Sequence, residues 1–319
     1  MMHLDRLRIF HAAARLLSFT HAAEELHLTQ PGVSKHVKEL EAYYGTRLFQ
    51  RIGRRIMLTD AGQILFEVTT DIFSRLNEAK VRIEELTGLA SGVLKIGASV
   101  TIATYLLPGM LVEFRQNHPA LEIQTEIGRS RRIVEKALDG SVEFGLVGHY
   151  SYDPRMIAKP FLTDRTALII SPSHRWAKRT FAVSPEELAD EPFLISKRGS
   201  GTWRIVGRFL ESTGVELKHI LELGTTEGVK QAVEAGLGVS IVSMHVVAKE
   251  LASGRIESIP LANGAPSRDL YLVRHKDRYL SNAARAFLSL CMPHAIDGIY
   301  PEDQTRGIPA PAAIQERND

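Results

Sequence analysis

Gln30, Ser34, Lys35 and Lys38 stand at helical spacing within SFTHAAEELHLTQPGVSKHVKELEAYYGT, residues 18–46, and all four side chains donate hydrogen bonds. Donors of this kind on one helix face can pair with the base edges displayed in a DNA major groove. Arg51, Arg54 and Arg55 follow in RLFQRIGRRIMLT, a cluster suited to phosphate oxygens. A second set, Ser99, Thr101, Ser130, Ser200, Thr202 and Thr226, stands where strands should hand over to helices. Hydroxyls and unpaired helix N–H groups at such points suit a small anion, either a carboxylate or an oxyanion of sulfur or phosphorus. Arg198 or His149 would add charge there. Taken singly, each serine or threonine fits an ordinary helix N-cap as well.

The elements that must position the first set are two short helices around a tight turn. Ala22, Ala23 and Leu26 form an apolar ridge on the first. Val33, Val37, Leu40 and Tyr44 form an inward stripe on the second. Thr29 is placed to cap the second helix, and Pro31 is tolerated in its first turn. By itself the stretch fits either a DNA-reading helix-turn-helix or a plain helical hairpin with a solvated polar face. A preceding amphipathic helix over 3–17, with Leu4, Leu7, Phe10, Ala14 and Leu17 on one side, would complete a three-helix core. Behind it, RLFQRIGRRIMLT reads as a two-stranded hairpin anchored by Leu48, Phe49, Ile56 and Leu58, with the arginines at its tip. A basic hairpin in that position is a wing that grips the DNA backbone.

Charge follows the same division. The 319-residue chain carries 39 basic and 37 acidic residues, a net +2, so the whole protein is not a generic polyanion binder. Residues 1–58 hold nine Lys/Arg against five Asp/Glu, a local +4, whereas residues 59–88 hold three against six, a local −3. The positive charge sits where the helical hairpin sits.

LDRLRIFHAAARLLSFTHAAEELHLTQPGVSKHVKELE followed by LFQRIGRRIMLTDAG is similar, densely and in order, to the N-terminal region of LysR-type transcriptional regulators. The resemblance continues more loosely over almost all of the rest. It implies that Gln30, Pro31, Ser34 and Lys35 read bases, with Lys38, Arg51, Arg54 and Arg55 completing the contact with double-stranded promoter DNA. Gln pairs bidentately with adenine and Lys with guanine, and Pro31 can touch a thymine methyl. Many relatives have Arg or Gln where this chain has Lys35-His36, so the preferred base sequence stays open.

Residues 59–88 read as one helix, with Thr59 or Asp60 as its cap and Gly88 as its end. Ala61, Leu65, Val68, Ile72, Leu76, Ala79, Ile83 and Leu86 recur at steps of three and four. Thirty residues span about 45 Å. Such a seam suits a two-helix coil, or a helix lying on its own domain. The resemblance implies the coil, a homodimer built through 59–88 that goes on to a homotetramer.

From Gly92 the texture changes to alternating strand and helix. Strands are expected at VLKIGAS, LEIQTEIG, FGLVG, ALIIS, PFLIS, ILELG, VSIVS and LYLVR, in largely parallel sheets. Helices are expected near 103–117, 130–139, 184–189, 203–213, 226–235, 243–252 and 281–291. The resemblance implies a two-lobed fold like that of periplasmic binding proteins, with crossings near 161–163 and 265–268. Lobe one would be 92–161 with 268–299, and lobe two 162–267. The expected architecture is therefore a winged helix-turn-helix domain over 1–58, a linker helix over 59–88 and an α/β effector domain over 92–299. Residues 300–319, rich in Pro, Ala and charge, read as a disordered tail. Family resemblance also implies Ser99, Thr101 and the 196–202 loop as effector contacts, without naming the effector.

Competing functions find less support. A solute-binding protein would need a signal peptide, whereas Asp5 and polar breaks interrupt the N-terminal apolar pattern. An enzyme would need a nucleophile or acid–base constellation. No GxSxG, HxxxH or HExxH is present, no paired carboxylates stand out, and Ala235-Gly236-Leu237-Gly238 lacks the third glycine of a dinucleotide site. Cys291, the single cysteine, excludes an internal disulfide and reads as a buried structural thiol. With no run of transmembrane length, the chain reads as a cytoplasmic regulator that needs no cofactor beyond its effector.

Overall fold

The computed structural model describes residues 4–53, 55–86, 92–295 and 299. Arg54, Gly88 and the 300–319 tail lie outside the described residues. The chain divides into two compact units, Met1–Thr87 and Gly88–Asp319.

The first unit is built from α1 (Leu4–Leu16), α2 (Phe19–Glu25), α3 (Gln30–Tyr44), β1 (Phe49–Ile52), β2 (Arg55–Leu58) and α4 (Asp60–Leu86). Its core joins Leu7, Phe10, Ala13 and Ala14 of α1 to Ala22 and Ala23 of α2 and to Val33, Val37 and Leu40 of α3. The apolar stripes are shorter than their periodicity suggested. Leu4 (51% exposed) and Leu17 (48%) stay outside at the two ends of α1. Tyr44, expected inside, is exposed and packs edge-on against Tyr43, because α3 ends there at Gly45 in the left-handed region. Ser18 and Thr29 cap α2 and α3 by accepting from the N–H groups of His21 and Gly32. The wing is tied down at its base. Glu41 Oε1 accepts from Leu48 N (2.9 Å) and Phe49 N (3.3 Å), and Thr59 donates to Arg47 O at 2.7 Å. Gly62 permits this closure, since a Cβ there would lie 2.0 Å from the Leu48 carbonyl oxygen.

The amino-terminal part of α4 belongs to this core. Leu65 is buried, and His11 of α1 stacks on Phe66 and donates to or accepts from Thr69 at 3.1 Å. On the same helix of 27 residues, Ile64, Val68, Leu76 and Ile83 are exposed.

The second unit contains β3 (Val93–Ser99), α5 (Val100–Tyr105), α6 (Leu107–Asn117), β4 (Glu122–Gly128), α7 (Ser130–Asp139), β5 (Phe144–Val147), β6 (Met156–Ile170) and β7 (Pro192–Ile195). It continues with α8 (Gly201–Thr213), β8 (His219–Glu222), α9 (Thr226–Glu234), β9 (Ser240–Ser243), α10 (Met244–Ala252), β10 (Glu257–Ile259), β11 (Ser267–His275) and α11 (Asn282–Cys291). Two lobes share one spine, β6. Its first part pairs with β11, which leads on through β5 and β3 to β4. Its last part, from Thr166, pairs with β9 and β10. A Phe193–Val239 bridge then carries the second lobe to the parallel pair β7–β8.

The structure departs from the sequence pattern in two places. The sheets are mixed: β3 runs parallel to β4 and β5, while β6 is antiparallel to β11, β9 and β10. The strands that carry the chain between lobes run in opposite directions, which imposes the antiparallel pairs. The segment expected as one helix over 103–117 is two, broken at Leu106 ahead of Pro108, whose ring suits the first turn of the second. Each lobe has its own core. Phe114, Phe144 and Phe287 centre the first, and Trp176, Phe193 and Val206 the second.

Candidate functional site

In the first unit, α3 presents Gln30, Pro31, Ser34, Lys35 and Lys38 along one shallow concave face, together with Glu39 and Ala42. Gln30, Pro31, Lys35 and Lys38 are exposed and Ser34 is half-buried. The face follows from helical spacing, since Val33, Val37 and Leu40 occupy the opposite side. Glu39 would oppose a phosphate, but Arg6 holds its carboxylate at 3.1 Å and His36 lies 3.5 Å away. Arg51 and Arg55 are exposed on the wing, on the paired strands β1 and β2 that meet at Gly53 (φ +62°). Sequence reasoning missed Glu41, which fixes the wing against α3; the seven- and eight-residue separations of its two bonds leave no local pattern to find.

In the second unit the candidate residues divide by lobe. Ser99, Ser130 and His149 stand at or just past the carboxyl ends of neighbouring strands β3, β4 and β5, and Thr101 lies in the first turn of α5. The side chain of Ser99 makes no capping bond, and the cap of α7 is Arg129, which leaves Ser130 as its first residue. On the second lobe Ser196, Ser200, Thr202, Trp203 and Thr226 border one cavity whose other walls are apolar, among them Phe193, Val206, Val229 and Ile241. Ser200 does cap α8, accepting from Trp203 N at 3.1 Å, and Thr225 caps α9. Arg198 is exposed, with its guanidinium 5.7 Å from the centre of the Trp203 ring.

The carboxyl edges of the two lobes meet. Tyr105 of α5 donates to Glu227 Oε2 of α9 at 3.2 Å. His149 is partly buried, and that burial and the charges of Arg204 and Arg208 on α8 hold its imidazole below the usual histidine range. Arg268 of β11 reaches Gly148 on one lobe and Gly201 on the other, and pairs with Asp164 of β6 at 2.9 Å. Tyr105 with Glu227, His149 with the arginines of α8, and Arg268 with Gly148 and Gly201 are thus the contacts that join the lobes at this edge. Arg268 was not among the residues singled out in the sequence; its partner Asp164 is 104 positions away.

Residues 4–63 match the family of bacterial regulatory helix-turn-helix proteins of the lysR type, and residues 87–295 match the LysR substrate binding domain. The chain belongs to the LysR family of transcriptional regulators. It is 34% identical over 292 residues to a RuBisCO operon transcriptional regulator of Allochromatium vinosum, which covers 92% of this chain and 96% of that one. The fold of this LysR-type regulator is that of ArgP from Mycobacterium tuberculosis, with a TM-score of 0.66 at 20% identity, covering 94% of this chain and 99% of the other. The regulatory domain of Synechocystis CcmR, solved in complex with 2-PG, matches at a TM-score of 0.58 and 25% identity over 65% of this chain and 98% of that one. The DNA-binding helix-turn-helix and the effector-binding domain of the family are thus the two units described above.

Among the described residues, no group of three His, Cys, Asp or Glu side chains could hold a metal ion, and no helix is long and apolar enough to cross a membrane. Burial against the Met110 carbonyl, with Glu113 nearby, pushes the Cys291 thiol up to about 12.

Proposed function

We propose that this regulator binds double-stranded promoter DNA as a homodimer and answers a small anionic effector held between its two carboxyl-terminal lobes. Gln30, Pro31, Ser34 and Lys35 read bases; Lys38, Arg51, Arg54 and Arg55 hold phosphates. The observation that carries the DNA assignment is the donor-lined face of α3 beside a basic wing, both fixed to one core. Dimerisation through 59–88 is supported by the exposed row Ile64, Val68, Leu76 and Ile83, which an isolated chain would leave in water. A C2 pair of heads would match two half-sites. Further pairing gives the tetramer. Promoter DNA places the protein in the cytoplasm, with a binding function and no catalytic one.

Ser99, Thr101, Ser130, His149, Ser200, Thr202 and Thr226 form the effector set, with Arg198 at its rim. Hydroxyls at the starts of α8 and α9, and the charges of Arg204 and Arg208 beside His149, favour a carboxylate or an oxyanion of phosphorus or sulfur. Since CcmR takes 2-PG, that compound is the first to try. An effector that contacts both lobes stabilises the closed arrangement. Closure then biases how paired heads sit on DNA and the bend they impose.

A gel-shift assay on the DNA upstream of the regulator's own gene tests the central reading. Specific retardation that weakens steeply with salt supports it. Equal affinity for unrelated DNA would refute it.

A further inference from the structure

Arg268 and Asp164 are direct partners in the register of β11 with β6, at the point where the chain passes between lobes. Their side chains are 7% and 1% exposed. Arg268 Nε and Nη2 both face Asp164 Oδ2, at 3.0 and 2.9 Å, and Ser243 Oγ donates to Oδ1 at 2.5 Å. One edge of the guanidinium is thereby used. The remaining nitrogen, Nη1, meets no acceptor among the described residues.

The surroundings of Nη1 are unusual for a buried cation. A Cβ on Gly148, just past β5, would stand 3.4 Å from both Nη1 and Cζ. A Cβ on Gly201, the first residue of α8, would stand 2.9 Å from Nη1. Glycine at both places leaves backbone from each lobe against the guanidinium. The first-turn N–H groups of α8 are themselves a positive pole. A cationic donor and a helix N-terminus thus lie side by side, with the N–H bonds of Nη1 unused by the described residues. An oxyanion satisfies both at once. Asp164 cannot serve, because Ser243 and the other edge of Arg268 already hold it. The nearby Glu227 carboxylate is engaged by Tyr105 and Lys230, and Asp269 by Thr163.

We propose that Arg268 is the charged ligand of the effector, its Nη1 binding one oxyanion of a small carboxylate- or phosphate-bearing molecule between Gly148 and the first turn of α8. The assignment rests on reading the interlobe cleft as the effector site and adds the residue that selects for charge. Because Arg268 rises from a crossing strand and touches both lobes, the anion it holds also sets how far they close. Arg204 and Arg208 on the same helix draw the anion toward the cleft.

Isothermal titration of the full-length protein with inorganic phosphate and with succinate tests this, using Arg268→Lys, Arg268→Gln and Gly201→Ala. At least one of the two anions should bind the unmodified protein. Either Arg268 variant should weaken that binding about ten-fold or more, because a lysine lacks the second edge of the guanidinium. Gly201→Ala keeps both charges and places a methyl against Nη1, so it should weaken binding similarly even if Arg268→Gln fails to fold. Anion binding that survives Gly201→Ala and Arg268→Lys, yet is lost in Ser99→Ala or Thr226→Val, would overturn the Arg268 assignment and leave the cleft reading intact. Failure of both anions to bind the unmodified protein at millimolar concentration would overturn both.

Discussion

The Tyr105 hydroxyl and the Glu227 carboxylate, 122 positions apart in the chain, meet at 3.2 Å and join the two lobes of the effector domain. Burial, outweighing the nearby Lys230 charge, raises the phenol above its ordinary value of 10, so it remains a donor at neutral pH. The ring also packs into the core of the second lobe, with Lys230 Nζ 5.9 Å from its centre. The contact is therefore part apolar and part polar, and only the polar part depends on the hydroxyl.

Tyr105→Phe keeps the ring and removes the interlobe hydrogen bond. Global stability should fall by about 1 kcal/mol or less, because Glu227 is partly solvated. Amide exchange at the start of α9 should speed up selectively. Hydrogen exchange read by mass spectrometry checks this; unchanged protection around residues 226–230 would count against the bridge.

Lys230 is 9% exposed and lies between Glu227 (2.8 Å) and Glu250 (3.0 Å), the latter 6% exposed. Lys230→Met leaves Glu250 buried with only Arg255 beside it, at a cost of about 3 kcal/mol in urea unfolding. Lys230→Met with Glu250→Leu should regain most of that loss. The pH dependence has two arms. Hydrogen bonds from Lys230 lower Glu227, so its contribution is present above 4.5 and lost as pH falls through the depressed value. Burial pulls Lys230 down, but its bonds to Glu227 and Glu250 prevail and raise it; its contribution holds below 10.5 and is lost as pH rises through the raised value. A lysine deletion no more costly than that of an exposed surface pair would contradict this.

His149 is held low by burial and by Arg204 and Arg208. Its neutral form is favoured on folding, so stability is full above 6.5 and declines as pH falls below it, where the unfolded chain takes the proton first. His149→Gln should flatten that acid-side slope relative to the unmodified protein. An anion in the cleft offsets the arginine charges and should raise the His149 midpoint in an NMR titration. A midpoint above 6.5 without ligand would refute the assignment.

Local patterns carried much of this architecture, and distant contacts carried the rest. The exposed face of α3 was readable because Val33, Val37 and Leu40 fix which side is buried within four helical turns. The bounds of strand β3 are legible in the sequence because its apolar run ends where Ser99 stands at the N-cap of the next helix. Strand β6 was seen only over its last part, ALIIS. Its earlier half contains Pro160, which weakens a strand reading, and the register with β11 shifts there, between Leu270 and Tyr271. Beyond it Asp164 and Arg165 break the apolar pattern, and the ion pair with Arg268 together with the Ser243 hydroxyl explains a buried aspartate in mid-strand. Ser99, Ser200 and Thr226 could be noticed as hydroxyls at strand ends. Arg268 could not, because its role depends on Gly148, Gly201 and Asp164 arriving from three other parts of the chain.

Base reading by α3 is the property on which promoter selectivity depends. Fluorescence anisotropy with the upstream DNA and a scrambled duplex, measured across a salt series, tests it for the unmodified protein, Lys35→Ala and Arg55→Ala. Lys35→Ala should cost about 1–3 kcal/mol on the upstream sequence and little on the scrambled one, whereas Arg55→Ala should weaken both and reduce the salt slope by about one. Equal losses on both duplexes for Lys35→Ala, with no change in specificity, would contradict the account.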